Sequence, residues 1–286
     1  MKEKKDQFVI AYLADLDNPD TVLTHAVALA RMLGKGLILL YISDPRYTDL
    51  TPDEAGSRLQ ALRSQVQSDG IGGMAPLADV SHCALKNETK PVVDALPTLL
   101  NAVIAVAQVD DHARRRSPTH KKELLRNFSE CKIAFLTVQQ PLSGFGAAHD
   151  VAFSVDHRKE SKEKLIWASY FARFNASTMH VLYYDYRDEG LRYKWYSNMQ
   201  FMHRFFSNLK LTFAPHVLRR RTTFADVSAL DYASASGYGL FIAVTTSERD
   251  GVEFFIGVQE DRIIVNRHRI PVLFINPRDD IYVLCD

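Results

Sequence analysis

In "VDHRKESKEKLIWASYFARF", Val155 to Phe174, an apolar run ends in Asp156, a charged hexapeptide follows, and an amphipathic helical pattern begins. In an α/β chain, a carboxylate at such a strand-to-helix turn stands where ligands and nucleotides bind. A second charged turn offers different chemistry. Arg114, Arg115 and Arg116 precede Ser117-Pro118, with Lys121 and Lys122 beyond, so side-chain cations gather at a predicted helix N-terminus. That suits contact with an anion or phosphate, although a charge run also reads as a solvated loop. Arg219, Arg220 and Arg221, just past a strand end, read the same way. Ten histidines form no H-E-x-x-H pair, and His112/His120 and His149/His157 have no ligating spacing. No G-x-S-x-G elbow, Walker A loop or cysteine–histidine pair is present, so the sequence gives catalysis no support.

Composition narrows the field. The 286 residues suffice for two ordinary domains, with 47% apolar and 24% charged residues. A net charge of +1 gives no global field for nucleic acid or an anionic membrane. The start "MKEKKDQ" precedes only "FVIAYLA", too short for a signal peptide or a spanning helix. Cys83, Cys131 and Cys285 have no metal-like spacing and leave one thiol unpaired, which points to a reducing, cytoplasmic setting. Glycine is scarce, 13 residues, below the usual share of about 7%.

The elements that must position these residues alternate along the chain. Strand candidates of the first half are "FVIAYL", "GLILLYI", "LADVSHCAL", "AVIAVAQV" and "KIAFLTV". Asn18-Pro19, Thr51-Pro52-Asp53-Glu54 and Ser117-Pro118 mark helix starts with proline at the first helical position, and Gly34 is a C-cap. The second half repeats the plan with "VAFSV", "STMHVLYY", "LKLTFAP", "GLFIAVTT" and "IPVLFIN". "LARMLGKGLILLYI" aligns with "FARFNASTMHVLYY" without a gap, and "IAFLTV" with "IPVLFI". Apolar strands alternating with helices predict parallel sheets covered on both faces. "QQPLSGFGAAH" between the halves suits a linker.

On these residues the chain resembles the universal stress protein family in its tandem two-domain form. "VDHRKESKEKLIWASYFARF" is similar to the family's first strand, aspartate turn and first helix. "GVQEDRIIVNRHRIPVLFINP" is similar to its last helix and strand. The resemblance implies two Rossmann-like α/β domains, 1–140 and 149–286 with a linker at 141–148. Each would hold a five-stranded parallel sheet of order 3-2-1-4-5 with helices on both faces. It also implies a pseudo-dimer within the chain, with homodimerisation a further option. ATP-binding members carry G-x2-G-x9-G-[ST] after the fourth strand, whose bare amides hold phosphates. Laid on "VTTSERDGVEFFIGVQEDR", its four positions are Val244, Ser247, Gly257 and Val258, of which only Gly257 matches. Gly251 would allow a shifted loop. Asp156 matches the family aspartate on the adenine and ribose side, but His157-Arg158 replaces the usual Gly-Ser. The first half has Ala14 at the Asp156 position, with Asp15 next, and no glycine after its fourth strand.

The expectation is a non-catalytic stress-response binding or regulatory module with a degraded nucleotide loop. ATP in the second domain, bounded by Asp156, Val244, Ser247, Gly257 and Val258, is the alternative. In "LRYKWYSNMQFMHRFFSNLKL", Trp195, Met199, Met202, Phe206 and Leu209 form one helical stripe predicted to be core. Phe201 and Phe205 lie off it and suggest an interface with a protein partner or a pocket for a small apolar ligand.

Overall fold

Val9, Ile10 and Ala11 are consecutive and each is fully buried. Neighbouring strand residues point to opposite faces, so this strand is covered on both. In the computed structural model, residues 7–86, 92–110, 112–113, 117–129, 131–142, 150–218, 225–245 and 260–276 are described. The chain divides into two compact units, Met1–Ala147 and Ala148–Asp286.

The first unit runs β1 (Phe8–Tyr12), α1 (Asp20–Leu33), β2 (Gly36–Ser43), α2 (Pro52–Ser68) and β3 (Val80–Lys86). It continues with the single turn α3 (Leu96–Leu99), β4 (Ala102–Gln108), α4 (Lys121–Phe128) and β5 (Ala134–Val138). Its strands lie in the order β3-β2-β1-β4-β5 and every pair is parallel. The second unit runs β6 (Asp150–Ser154), α5 (Glu163–Asn175), β7 (Thr178–Tyr183), α6 (Glu189–Asn208) and β8 (Phe213–Val217). It ends with α7 (Ala225–Ala235), β9 (Leu240–Val244), the turn α8 (Glu260–Ile263) and β10 (Val272–Ile275). The order β8-β7-β6-β9-β10, again all parallel, repeats the first unit's topology. Val151, Ala152 and Phe153 of β6 are fully buried, as their counterparts in β1 are.

Local chemistry sets the boundaries. Thr51 and Glu54 form the expected capping box, Thr51 N donating to Glu54 Oε2 at 3.0 Å and Glu54 N to Thr51 Oγ1 at 3.4 Å. Gly34 closes α1 at φ 60°, its N–H reaching the carbonyls of Ala30 and Arg31. The other two starts differ from expectation. Helix α1 begins one residue late, with Pro19 as its cap. Helix α4 begins at Lys121, because Ser117 Oγ bonds the Thr119 hydroxyl at 2.9 Å and closes a separate turn. His120 Nδ1 then accepts from Lys122 N at 3.3 Å and caps the helix. "LKLTFAP" also shifts: α6 runs to Asn208, Lys210 takes φ 56°, and β8 starts at Phe213. Pro215 sits in β8, which its place at the sheet edge permits.

The middle of the α6 stripe packs as predicted, while its ends, Trp195 and Leu209, are half-buried. Met199, Met202 and Phe206 are buried, and Phe206 meets Phe153 of β6 edge-on at 6.4 Å between ring centroids. Full burial of a side chain such as Phe206 contributes about 1.5–3 kcal/mol.

Candidate functional site

In the second unit the carboxyl edge of β6 is filled by the chain itself. Asp156, two residues past the strand, is 3% exposed. Its Oδ2 accepts from Arg158 Nε at 2.7 Å, and its Oδ1 from Arg158 N at 2.9 Å and Ser161 Oγ at 2.5 Å. Asn198 of α6 fixes the turn by donating to the carbonyls of Asp156 and Arg158, both at 2.8 Å. Burial alone would raise the Asp156 pKa. The charges of Arg158 and Lys164, with the bonds from Ser161 and the Arg158 amide, outweigh burial and hold it at about 2.

Behind this pair lies a second ion pair. Lys164 of α5 and Asp226 of α7 are both fully buried, with Nζ 3.2 Å from Asp226 Oδ1. Lys164 also donates to Ser154 Oγ at 2.8 Å and Ser154 O at 3.2 Å, and the Ser154 hydroxyl bonds Asp226. The Arg158 guanidinium reaches Asp226 Oδ2 at 3.7 Å and so links both pairs. The sequence reading missed this network. Lys164 shares its helix face with buried Ala168 and Phe171, and a lysine on an apolar stripe is the signal for a buried acid.

Val244 is the last residue of β9, buried and in register with Ile275 of β10. Ser247, Gly251, Gly257 and Val258 lie outside the described residues, as do Arg114 to Arg116 and Arg219 to Arg221. Phe201 and Phe205 are half-buried and stack on each other, with centroids 6.2 Å apart and Lys162 Nζ 5.0 Å from the Phe201 ring.

The first unit differs at the equivalent edge. A cavity of about 500 Å³ opens there, lined from the ends of β1, β2 and β4. The chain leaves β1 for β2 on one side while β4 lies on the other, so this is the topological switch point. Ala14 and Asp15 stand on its wall. Among the described residues, the lining brings together Asp15, Asp17, Asp44 and Asp110 with the guanidinium of Arg58, which pairs with Asp17 at 2.8 Å. Asp44 is held by Arg46, whose Nη2 lies 2.5 Å from Oδ2. Tyr41, nearly fully buried, and Gln108 complete the polar wall. Two of these four carboxylates, Asp17 and Asp44, are therefore paired with guanidinium groups. Tyr47 of the same wall bonds Glu123 of α4, and burial with that carboxylate raises its pKa to about 12. Among the described residues, no group of three or more His, Cys, Asp or Glu is arranged to hold a metal ion. Nor is any described helix long and apolar enough to cross a membrane.

Known structures share this architecture. A universal stress protein from Archaeoglobus fulgidus superposes with a TM-score of 0.66 at 12% identity, over 96% of this chain and 97% of that one. A putative universal stress protein from Pseudomonas aeruginosa gives 0.63 at 14% identity, over 97% and 95%. The cytoplasmic domain of a prokaryotic cation chloride cotransporter gives 0.54 at 14%, over 95% of each chain. No family model and no curated protein matches the sequence. The chain therefore has the universal stress protein fold, α/β and Rossmann-like, along nearly its whole length. At these identities the likeness is one of architecture.

Proposed function

We propose that this chain is a tandem universal-stress-type binding and regulatory module without turnover of its own. Its domains would be 1–140 and 149–286 joined by 141–148, working in the cytoplasm with a small ligand or a protein partner. The observation that carries this reading is Arg158 on Asp156. The carboxylate that would meet an adenosine already accepts from a guanidinium, an amide and a hydroxyl of its own chain. A nucleotide must displace them, and each lost charge-assisted bond costs about 1.5–3 kcal/mol. The departures from the glycine pattern at Val244, Ser247 and Val258 act in the same direction, since side chains hinder close approach of backbone to phosphate.

Ligand binding then falls to the first unit. Its cavity is of ligand size, and its carboxylates favour a neutral or cationic polar molecule over a triphosphate. Calorimetric titration with Mg-ATP and with adenosine tests both statements. The expected result is no measurable Mg-ATP binding, and adenosine heat, where seen, that Asp110→Ala removes. Micromolar Mg-ATP binding abolished by Asp156→Ala would overturn the reading and establish an ATP-binding second domain.

A further inference from the structure

His180 of β7 and His216 of β8 face each other across neighbouring strands, Nδ1 of the first 3.0 Å from Nε2 of the second. Each ring is held from behind. His180 Nε2 lies 2.9 Å from Asp150 Oδ1 of β6, and His216 Nδ1 lies 3.3 Å from the Tyr232 hydroxyl of α7. Tyr238, in the turn after α7, stacks on His180 at 3.9 Å and brings its hydroxyl 3.4 Å from His216 Nε2. Asp150, Tyr232 and Tyr238 are thus the titratable groups facing the pair from β6, α7 and that turn. We propose that the two imidazoles share one hydrogen and act as a proton-operated catch holding the edge strand β8 to β7.

Counting hydrogens gives the mechanism. A carboxylate only accepts, so His180 Nε2 carries hydrogen. With both rings neutral, His216 Nε2–H donates to His180 Nδ1, and the Tyr232 hydroxyl donates to His216 Nδ1. One added proton reverses the direction. His180 becomes an imidazolium beside Asp150, donates to His216 Nε2, and His216 Nδ1–H donates to Tyr232. A second proton has no place. It puts hydrogens on both facing nitrogens and two cations at hydrogen-bond distance, so the contact breaks. Burial, with the adjacent His180, lowers the His216 pKa accordingly. The strand released is an edge strand: among the described residues β8 pairs with β7 alone, and its residues are half-buried or exposed. An edge strand so loosened offers unpaired backbone to another chain.

Amide hydrogen exchange on the full chain, expressed as protection factors to remove intrinsic pH dependence, tests the catch. Between pH 7.5 and 5, protection of the β8 amides should fall about tenfold or more while β6 holds. In His216→Gln, whose amide replaces the ring without taking a proton, β8 protection should change less than about twofold. Equal loss in both proteins, or none in the wild type, overturns the proposal. Imidazole NMR supplies the second reading. His180→Gln should raise the His216 midpoint, and an unmoved midpoint would show that the rings titrate independently.

Discussion

Lys164 Nζ lies 3.2 Å from Asp226 Oδ1 with neither side chain reached by solvent. Their attraction must offset the desolvation of two ions, which leaves such a pair near zero in net stability. Breaking it is different. Lys164→Met removes the nearer cation, leaving the buried Asp226 carboxylate with the Ser154 hydroxyl and Arg158 at 3.7 Å, and should cost about 3–5 kcal/mol. Adding Asp226→Leu should recover most of that loss. Denaturant titration of the two single variants and the double variant measures the coupling. A double variant no more stable than the worse single would contradict it.

Arg158→Ala removes the largest of the effects that keep Asp156 ionised. With that charge gone, burial is opposed only by Lys164, Ser161 and the backbone amide, and the carboxyl pKa should rise from about 2. In the wild type the depressed pKa, about 2 against 3.8, adds about 2 kcal/mol that is fully present above pH 4. That contribution is lost as pH falls toward 2. The variant should melt lower at pH 7, and the gap should narrow on acidification. A constant gap would mean Arg158 acts by packing alone.

His25 of α1 gives a pH dependence of the same sign in a higher window. Burial lowers its pKa from 6.5 to about 4, against a smaller opposing effect of its bond to the Gln140 carbonyl at 3.1 Å. Between those values the unfolded chain binds the extra proton, so stability falls as pH falls from about 6.5. The loss reaches about 3 kcal/mol near pH 4. His25→Asn should flatten this slope in melts followed from pH 7 to 4.5.

Phe201 and Phe205 are half-buried and stacked, so replacing both with glutamate forfeits only part of a full side-chain burial, about 1 kcal/mol each. The double variant should stay folded and change mass in light scattering if this face meets a partner or a second copy. Global unfolding would make them core.

The sheets were legible because buried parallel strands are written as unbroken apolar runs, from "GLILLYI" to "GLFIAV". The stripe of Met199, Met202 and Phe206 was legible for the same reason, being local and periodic. The site was less so. Arg158 reads in sequence as a bulky replacement for Gly-Ser, a loss, whereas the structure makes it an occupant. Asp226 stands 62 residues from Lys164, and His216 stands 36 from His180, so only the fold brings them together. The first unit's cavity had no glycine signature, because its wall is side chains. Ser117-Pro118 misled because the serine spends its hydroxyl on Thr119.

Arg158 is two residues from the carboxylate it caps, so it behaves as a tethered competitor whose local concentration no free ligand matches. A ligand seeking the Asp156 carboxylate would meet only the fraction of molecules in which that arm has swung away. Were it about 1%, apparent affinity would fall about a hundredfold from its intrinsic value. The same tether also sets a threshold. Whatever weakens the arm, by salt, by protonation of Asp156 or by a partner that takes the guanidinium for itself, raises sensitivity without touching the ligand.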